Sequence, residues 1–280
     1  MTLDWTVVGA VLLGAWLHAS WNALVKSSAD KVLDMALIPL IASLLAIPLV
    51  IWFGWPTPAA WPYIVASALI HIGYYSALIG AYHHGDLGLT YPLMRGVAPL
   101  IVALSATLAL GETLTPMAWM GVAGISCGVL VLGLNAHALQ APKAVAFALL
   151  NAVIIAIYTV VDGLGVRASG NAMQYIAALF LLHGWPFALM VYYLRGKALP
   201  HYARRRWPMG VLGAGATLGS YGIALWAMTR APVASVAALR ETSVLFALVL
   251  GAVFLNEVFT IRRVIGAAVI LVGIMALRIG

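Results

Sequence analysis

Apolar stretches of about twenty residues, parted by short clusters of glycine, proline and charge, follow one another along the whole chain. Ten can be drawn, at about 4–25, 33–53, 61–82, 88–110, 116–134, 144–163, 172–193, 208–228, 233–255 and 260–278. Each approaches the roughly 20 residues that an α-helix needs to cross a hydrocarbon layer of about 30 Å. Most breakers are short, such as Gly54 to Pro58, His83 to Gly88, Gly111 to Pro116 and Asn256 to Thr260, so neighbouring helices must run antiparallel. The pattern predicts an all-α membrane protein with ten transmembrane helices.

One part of the pattern occurs twice. A shift of 145 positions places Arg95 on Arg240, Glu112 on Glu257, Gly121 on Gly266, Gly128 on Gly273 and Leu132 on Leu277, with no gap. A shift of 137 places Ala15 on Ala152 and Trp21 on Tyr158. Spans four and five therefore overlay spans nine and ten, and the chain divides into two five-helix units, 1–135 and 143–280. A unit with an odd number of spans reinserts upside down, so the two units are expected to form an inverted repeat.

Composition agrees on the solvent. Of the 280 residues 64% are hydrophobic and only 8% charged, with mean hydropathy +1.03, where a water-soluble domain has roughly a quarter charged. The formal charge of +7 sits mostly at span ends, which fits lipid headgroups better than nucleic acid. Lys26, Lys31, Lys143, the Arg195–Arg206 cluster, Arg262 and Arg263 fall on one side, and Arg167, Arg230 and Arg278 on the other. By the positive-inside rule the first side is cytoplasmic and both termini are outside. Met1-Thr2-Leu3-Asp4-Trp5 has no basic n-region, so the first span is expected to be retained. Cys127 is alone, which excludes a disulfide or a cysteine-built zinc site. There is no Gly-Lys-Ser/Thr phosphate loop, no His-Glu-x-x-His and no Gly-x-Ser-x-Gly, so neither enzyme chemistry nor ATP-driven pumping by this chain is expected, and no cofactor or metal.

Candidate chemistry comes from polar residues that lipid would reject. Arg95 lies about seven residues, roughly 10 Å, into span four, and Arg240 is about as deep in span nine. An arginine at mid-helix costs about 2.5–3.5 kcal/mol, so each should face the bundle interior, either bracing the halves or meeting a solute. Pro92 and Pro99 flank Arg95 and are expected to bend or loosen that helix. In span one Gly14, His18, Asn22 and Lys26 share a face; Trp16 and Trp21 lie off it, as lipid anchors or gate residues. His71, Tyr75, Leu78 and Tyr82 share a face of span three beside Tyr74, as packing or as an aromatic cavity wall. Asn151, Ile155, Tyr158 and Asp162 do so in span six, and Gly213, Thr217 and Tyr221 in span eight. Asp162 falls near a span end, where a solvated or capping carboxylate is expected. Glu112 and Glu257 close spans four and nine ahead of the N-cap candidates Thr115 and Thr260, and should accept amides from the helix that follows. Glu241 points about 100° away from Arg240, so the two need separate partners.

Tyr91-Pro92-Leu93-Met94-Arg95 through Pro99, Gly111-Glu112-Thr113-Leu114-Thr115 followed by Gly121 and Gly128, and the echo at Arg240, Asn256-Glu257 and Gly266 resemble the drug/metabolite transporter superfamily, EamA type, across essentially all 280 residues. The chain is most similar to the YddG-type aromatic amino-acid exporters. The resemblance implies a secondary transporter that exports aromatic and other neutral amino acids across the bacterial cytoplasmic (inner) membrane by alternating access, as a monomer, with the solute and the bilayer as partners. Its cavity would lie among helices one, three, four, six, eight and nine. Asn22, His71, Tyr75, Tyr82, Tyr91, Arg95, Tyr158, Tyr221, Trp226 and Arg240 would contact the solute. His18, Asp162 and Glu241 would carry protons or gate; Glu112, Glu257, Pro92 and Pro99 would shape helix junctions. The second half reads Leu239-Arg240-Glu241 against Met94-Arg95-Gly96 and has no proline to answer Pro99, so site symmetry is incomplete. Two alternatives stand beside this reading. An exporter of cationic drugs or polyamines would need an exposed intramembrane acid, for which Glu241 and Asp162 are the candidates; an enzyme on a lipid-linked substrate would draw on His83, His84 and Asp86.

Overall fold

The computed structural model describes residues 3–26, 28, 30–85, 87–133, 141–255 and 260–280. They form α1 (Trp5–Lys26), α2 (Lys31–Phe53), a 3-10 turn (Pro58–Ala60), α3 (Trp61–His84), α4 (Leu87–Ala109), α5 (Pro116–Gly133), α6 (Pro142–Ala168), α7 (Ala172–Arg195), α8 (Ala198–Met228), α9 (Val233–Arg240), α10 (Ser243–Leu255) and α11 (Ile261–Ile279), with no strand among the described residues. Nine of these spans are long and apolar enough to cross a membrane, α9 and α10 counting as one. The 19-residue α11, flanked by Arg262, Arg263 and Arg278, makes a tenth apolar rod against α5. Ile51, Trp52 and Leu108 are 80%, 83% and 87% exposed, an outer surface suited to hydrocarbon and not to water.

Side chains written into the sequence start several helices. Asp30 accepts the amides of Val32 and Leu33 at 3.1 Å, Asn171 that of Met173, and Thr115 that of Ala118 at 3.1 Å. Thr260, expected to do the same, makes no side-chain capping bond; its backbone carbonyl takes the amides of Arg263 and Val264 instead.

Three boundaries differ from the hydropathy pattern. α8 starts at Ala198, so Arg204, Arg205 and Arg206 belong to a helix and not to a loop. Hydropathy marks what sits in lipid, whereas a helix continues into the headgroups. There Tyr202 donates to Asp34 at 2.9 Å and Arg206 pairs with Asp34 at 3.3 Å, tying α8 to α2. α6 continues to Ala168, five residues past the expected end. Span nine breaks at Glu241-Thr242, where Glu241, Thr242, Val244 and Leu245 each donate to the carbonyl three residues back. Span four, expected to loosen at Pro92 and Pro99, remains one helix packed on α5 and α6. Each proline omits one rung, and the neighbours hold the rest.

Helices pair in a regular scheme: α2 on α7, α5 on α11, α3 on α6 and α1 on α8. α2 and α7 run antiparallel, since Asp30 at the start of α2 pairs with Arg195 at the end of α7 (2.5 Å), and Gln174 at the start of α7 donates to the Phe53 carbonyl at the end of α2 (2.9 Å). α5 and α11 are antiparallel too: Thr115 donates to the Gly280 carbonyl at one end, while Gly128 lies on Gly266 at the other. That crossing is built of glycine. A methyl added at Gly128 would fall 2.8 Å from the Gly266 carbonyl oxygen, and one at Gly273 2.9 Å from the Gly121 carbonyl oxygen. A methyl at Gly121 would meet Leu277 at 2.5 Å, and one at Gly266 would meet Leu132 at 2.6 Å. Under the 145-residue shift each contact in these two pairs becomes the other, which is the reciprocity a two-fold interface requires. Near the Thr115–Gly280 contact the Arg278 guanidinium lies 3.7 Å over the Trp5 ring, so α1 begins where α11 ends.

Candidate functional site

A cavity of about 90 Å³ lies among α1, α2, α3, α6, α7, α8 and α9. With one water needing about 15 Å³, it has room for roughly six. The expected helix set is corrected in two ways: α4 contributes no side chain to the lining, and α2 and α7 do, through Met35, Ile38, Pro39, Leu179, Phe180 and His183. α2 and α7 escape a search for polar stripes because most of their lining residues are apolar.

One wall is aromatic. Tyr74 and Tyr75 of α3, Tyr158 of α6 and Tyr221 of α8 all border the cavity, and Tyr158 stands edge-on to both Tyr74 and Tyr221. Tyr75 is stacked on Phe187 with centroids 4.4 Å apart, which fixes its ring. His71 lies between Tyr158 (4.4 Å) and His183 (4.2 Å). Its Nδ1 is 2.7 Å from the Ser67 carbonyl, an acceptor only, so Nδ1 carries a proton and Nε2 is left to other partners. Trp21 lines the cavity as well, and its indole N–H donates to Nδ1 of His18 at 3.3 Å, which makes that nitrogen an acceptor. Trp16, by contrast, is 45% exposed on the outer surface.

The buried charges divide between bracing and lining. Arg95 Nε is 2.7 Å from Glu241 Oε2, with both side chains under a tenth exposed, so Arg95 joins α4 to the break after α9 and does not reach the lining. Arg240 does reach it, with its guanidinium 4.8 Å over the Tyr221 ring. The 241–242 break sends these neighbours apart, and each finds its own partner, as the helical angle requires. Asp162 is corrected: it is fully buried, accepting O–H bonds from Tyr175 at 2.9 Å and Tyr221 at 2.5 Å. The further residues of α6 beyond it explain why it lies inside.

The other expected residues lie elsewhere. The Asn22 amide donates to the His18 carbonyl on its own helix at 2.8 Å. Tyr82 and Tyr91 pack in the core beside the cavity without lining it. Trp226 carries the Arg230 guanidinium 4.8 Å over its ring and borders a separate groove with Arg167 and Asn171. Glu112 is a junction residue, but it serves a different helix from the expected one. It pairs with Arg167 at 2.7 Å and accepts the amides of Val233 (3.0 Å) and Ala234 (3.5 Å), the start of α9 and not of α5. Arg167 also donates to the carbonyls of Met228 and Ala231, closing a clasp between the ends of α4, α6 and α8 and the start of α9. Asn256, Glu257 and Asp86 lie outside the described residues. No group of three or more metal-ligating side chains converges among the described residues.

His183 lines the cavity without having been among the expected site residues. An imidazole in the middle of an apolar run is a signal in itself, and it was available at Leu182-His183-Gly184.

Residues 142–279 match the EamA-like transporter family. That match begins with the first residue of α6 and ends with the last of α11. A solved structure described only as "Crystal structure of protein" superposes with a TM-score of 0.76 at 19% identity, covering 97% of this chain and 94% of that one, and so shares its fold. No curated protein matches the chain.

Proposed function

We propose that the whole chain, and not only its matched second half, is an EamA-type secondary transporter. Its two five-helix units, 1–135 and 143–280, are inverted relative to each other and open a shared cavity alternately to the two sides of the bacterial cytoplasmic membrane. The reciprocal glycine contacts of α5 and α11, and the antiparallel run of α2 on α7, support the inversion. The solutes are small amphipathic metabolites, foremost aromatic and other neutral amino acids, exported as in the YddG-type branch. A monomer suffices, because one chain holds both units, and no cofactor or catalytic step is needed.

The observation that carries this reading is a hollow lined from α1 to α3 and α6 to α9, walled by four tyrosines and reached by Arg240. Closed packing would have been the cheaper way to bury those rings. The cationic-drug alternative loses its two candidate acids, since Glu241 is held by Arg95 and Asp162 by two phenols.

Purified protein in liposomes preloaded with phenylalanine should accumulate labelled external phenylalanine by counterflow, and leucine more weakly. Empty liposomes should not. Equal traces with and without protein for both amino acids would dismiss the cargo assignment.

A further inference from the structure

Among the described residues the cavity wall carries one permanent cation, Arg240, and no anion. Arg240 is 9% exposed, faces the hollow over Tyr221, and makes no ion pair among the described residues. Two acids lie close, yet neither is offered to a solute. Glu241 sits 2.7 Å from Arg95, and the two oxygens of Asp162 are taken by the hydroxyls of Tyr175 and Tyr221 behind the wall. The three lining imidazoles add hydrogen-bonding groups but no negative charge.

A solute carboxylate entering this space finds a planar guanidinium able to bind both oxygens, in a setting of low dielectric where such a pair is strong. A solute ammonium finds repulsion from the same group and no carboxylate, with only tyrosine faces as partial compensation. We infer that the cavity recognises its solute through a carboxylate held by Arg240, and that an α-amino group is dispensable: small aryl carboxylates without an amino group are ligands of the same site. The inference rests on the transport reading only for the identity of the cavity as the solute site.

Three compounds that share a phenylethyl group decide it: phenylalanine, 3-phenylpropionate, which lacks the amine, and 2-phenylethylamine, which lacks the carboxylate. Their binding to the purified full-length protein is read from ligand-dependent shifts in thermal unfolding in detergent at neutral pH. 3-Phenylpropionate should bind within about threefold of phenylalanine or tighter, and 2-phenylethylamine at least about tenfold more weakly. In Arg240→Gln the acid should lose that advantage, and Arg240→Lys should restore part of it.

An amine that binds as well as the acid would overturn the inference. So would an acid bound tenfold more weakly than the amino acid, or the absence of binding by all three. The wild-type series stands even if Arg240→Gln fails to fold. Phenylalanine counterflow without 3-phenylpropionate binding would sink this inference and leave transport intact; the reverse result would sink the counterflow reading alone.

Discussion

Glu241 stands between two arginines and neutralises one of them. Its carboxylate holds Arg95 at 2.7 Å inside the bundle, while Arg240, the adjacent residue, turns to Tyr221 and the cavity. Removing one partner from a buried ion pair leaves a charge with no counter-ion, a loss of about 3–5 kcal/mol, whereas replacing both by apolar groups is often neutral. Glu241→Gln should therefore lower the unfolding midpoint in detergent by several degrees, and Arg95→Met with Glu241→Met should recover most of it. A single mutant as stable as wild type would show that the pair does not hold α4 to the break. Both arginines were legible in the sequence as charges that lipid rejects. Which one braces and which one lines the cavity was not, because that depends on a two-residue interruption without proline or glycine to announce it. Asp162 was misplaced for a related reason: hydropathy fell away after Gly163, but the helix did not.

Helix packing was more readable than helix ends. The glycines at 121, 128, 266 and 273 recur at a spacing of seven, and at each of them α5 and α11 lie too close for an added methyl. Gly128→Leu would drive a side chain into the Gly266 backbone, which cannot withdraw as a side chain could, and overpacking of this kind costs typically about 1–3 kcal/mol or more. The expected result is a marked fall in folded yield and unfolding temperature. Gly215, in α8, has open space where a methyl would go, with nothing within 4 Å, so Gly215→Ala should be neutral or stabilising by up to about 1 kcal/mol. Equal behaviour of the two variants would contradict the close approach. Element ends escaped because charged residues such as Arg204 to Arg206 are excluded from a span by hydropathy yet fold as part of the helix, where Arg206 and Tyr202 reach Asp34.

At the scale of the molecule, the 145-residue register suggested a five-plus-five division, and the structure pairs α2 with α7, α5 with α11, α1 with α8 and α3 with α6. What the register could not reveal is that Glu112 reaches across to α9, since the contact joins parts of the chain 121 residues apart. Glu112→Gln weakens both the Arg167 pair and the charge-assisted bonds to Val233 and Ala234. Such bonds are worth about 1.5–3 kcal/mol, so amide hydrogen exchange at the start of α9 should accelerate by about tenfold or more. Unchanged protection there would remove Glu112 from the clasp. α9 itself is only eight residues, about 12 Å long, and it is anchored by Glu112 at one tip and carries Arg240 at the other. Every residue of this short helix is buried. If Arg240 takes a solute carboxylate as proposed, any coupling between the two tips is mutual: binding that tightens the Glu112 tip is matched by a loosened grip on the carboxylate when that tip is loosened.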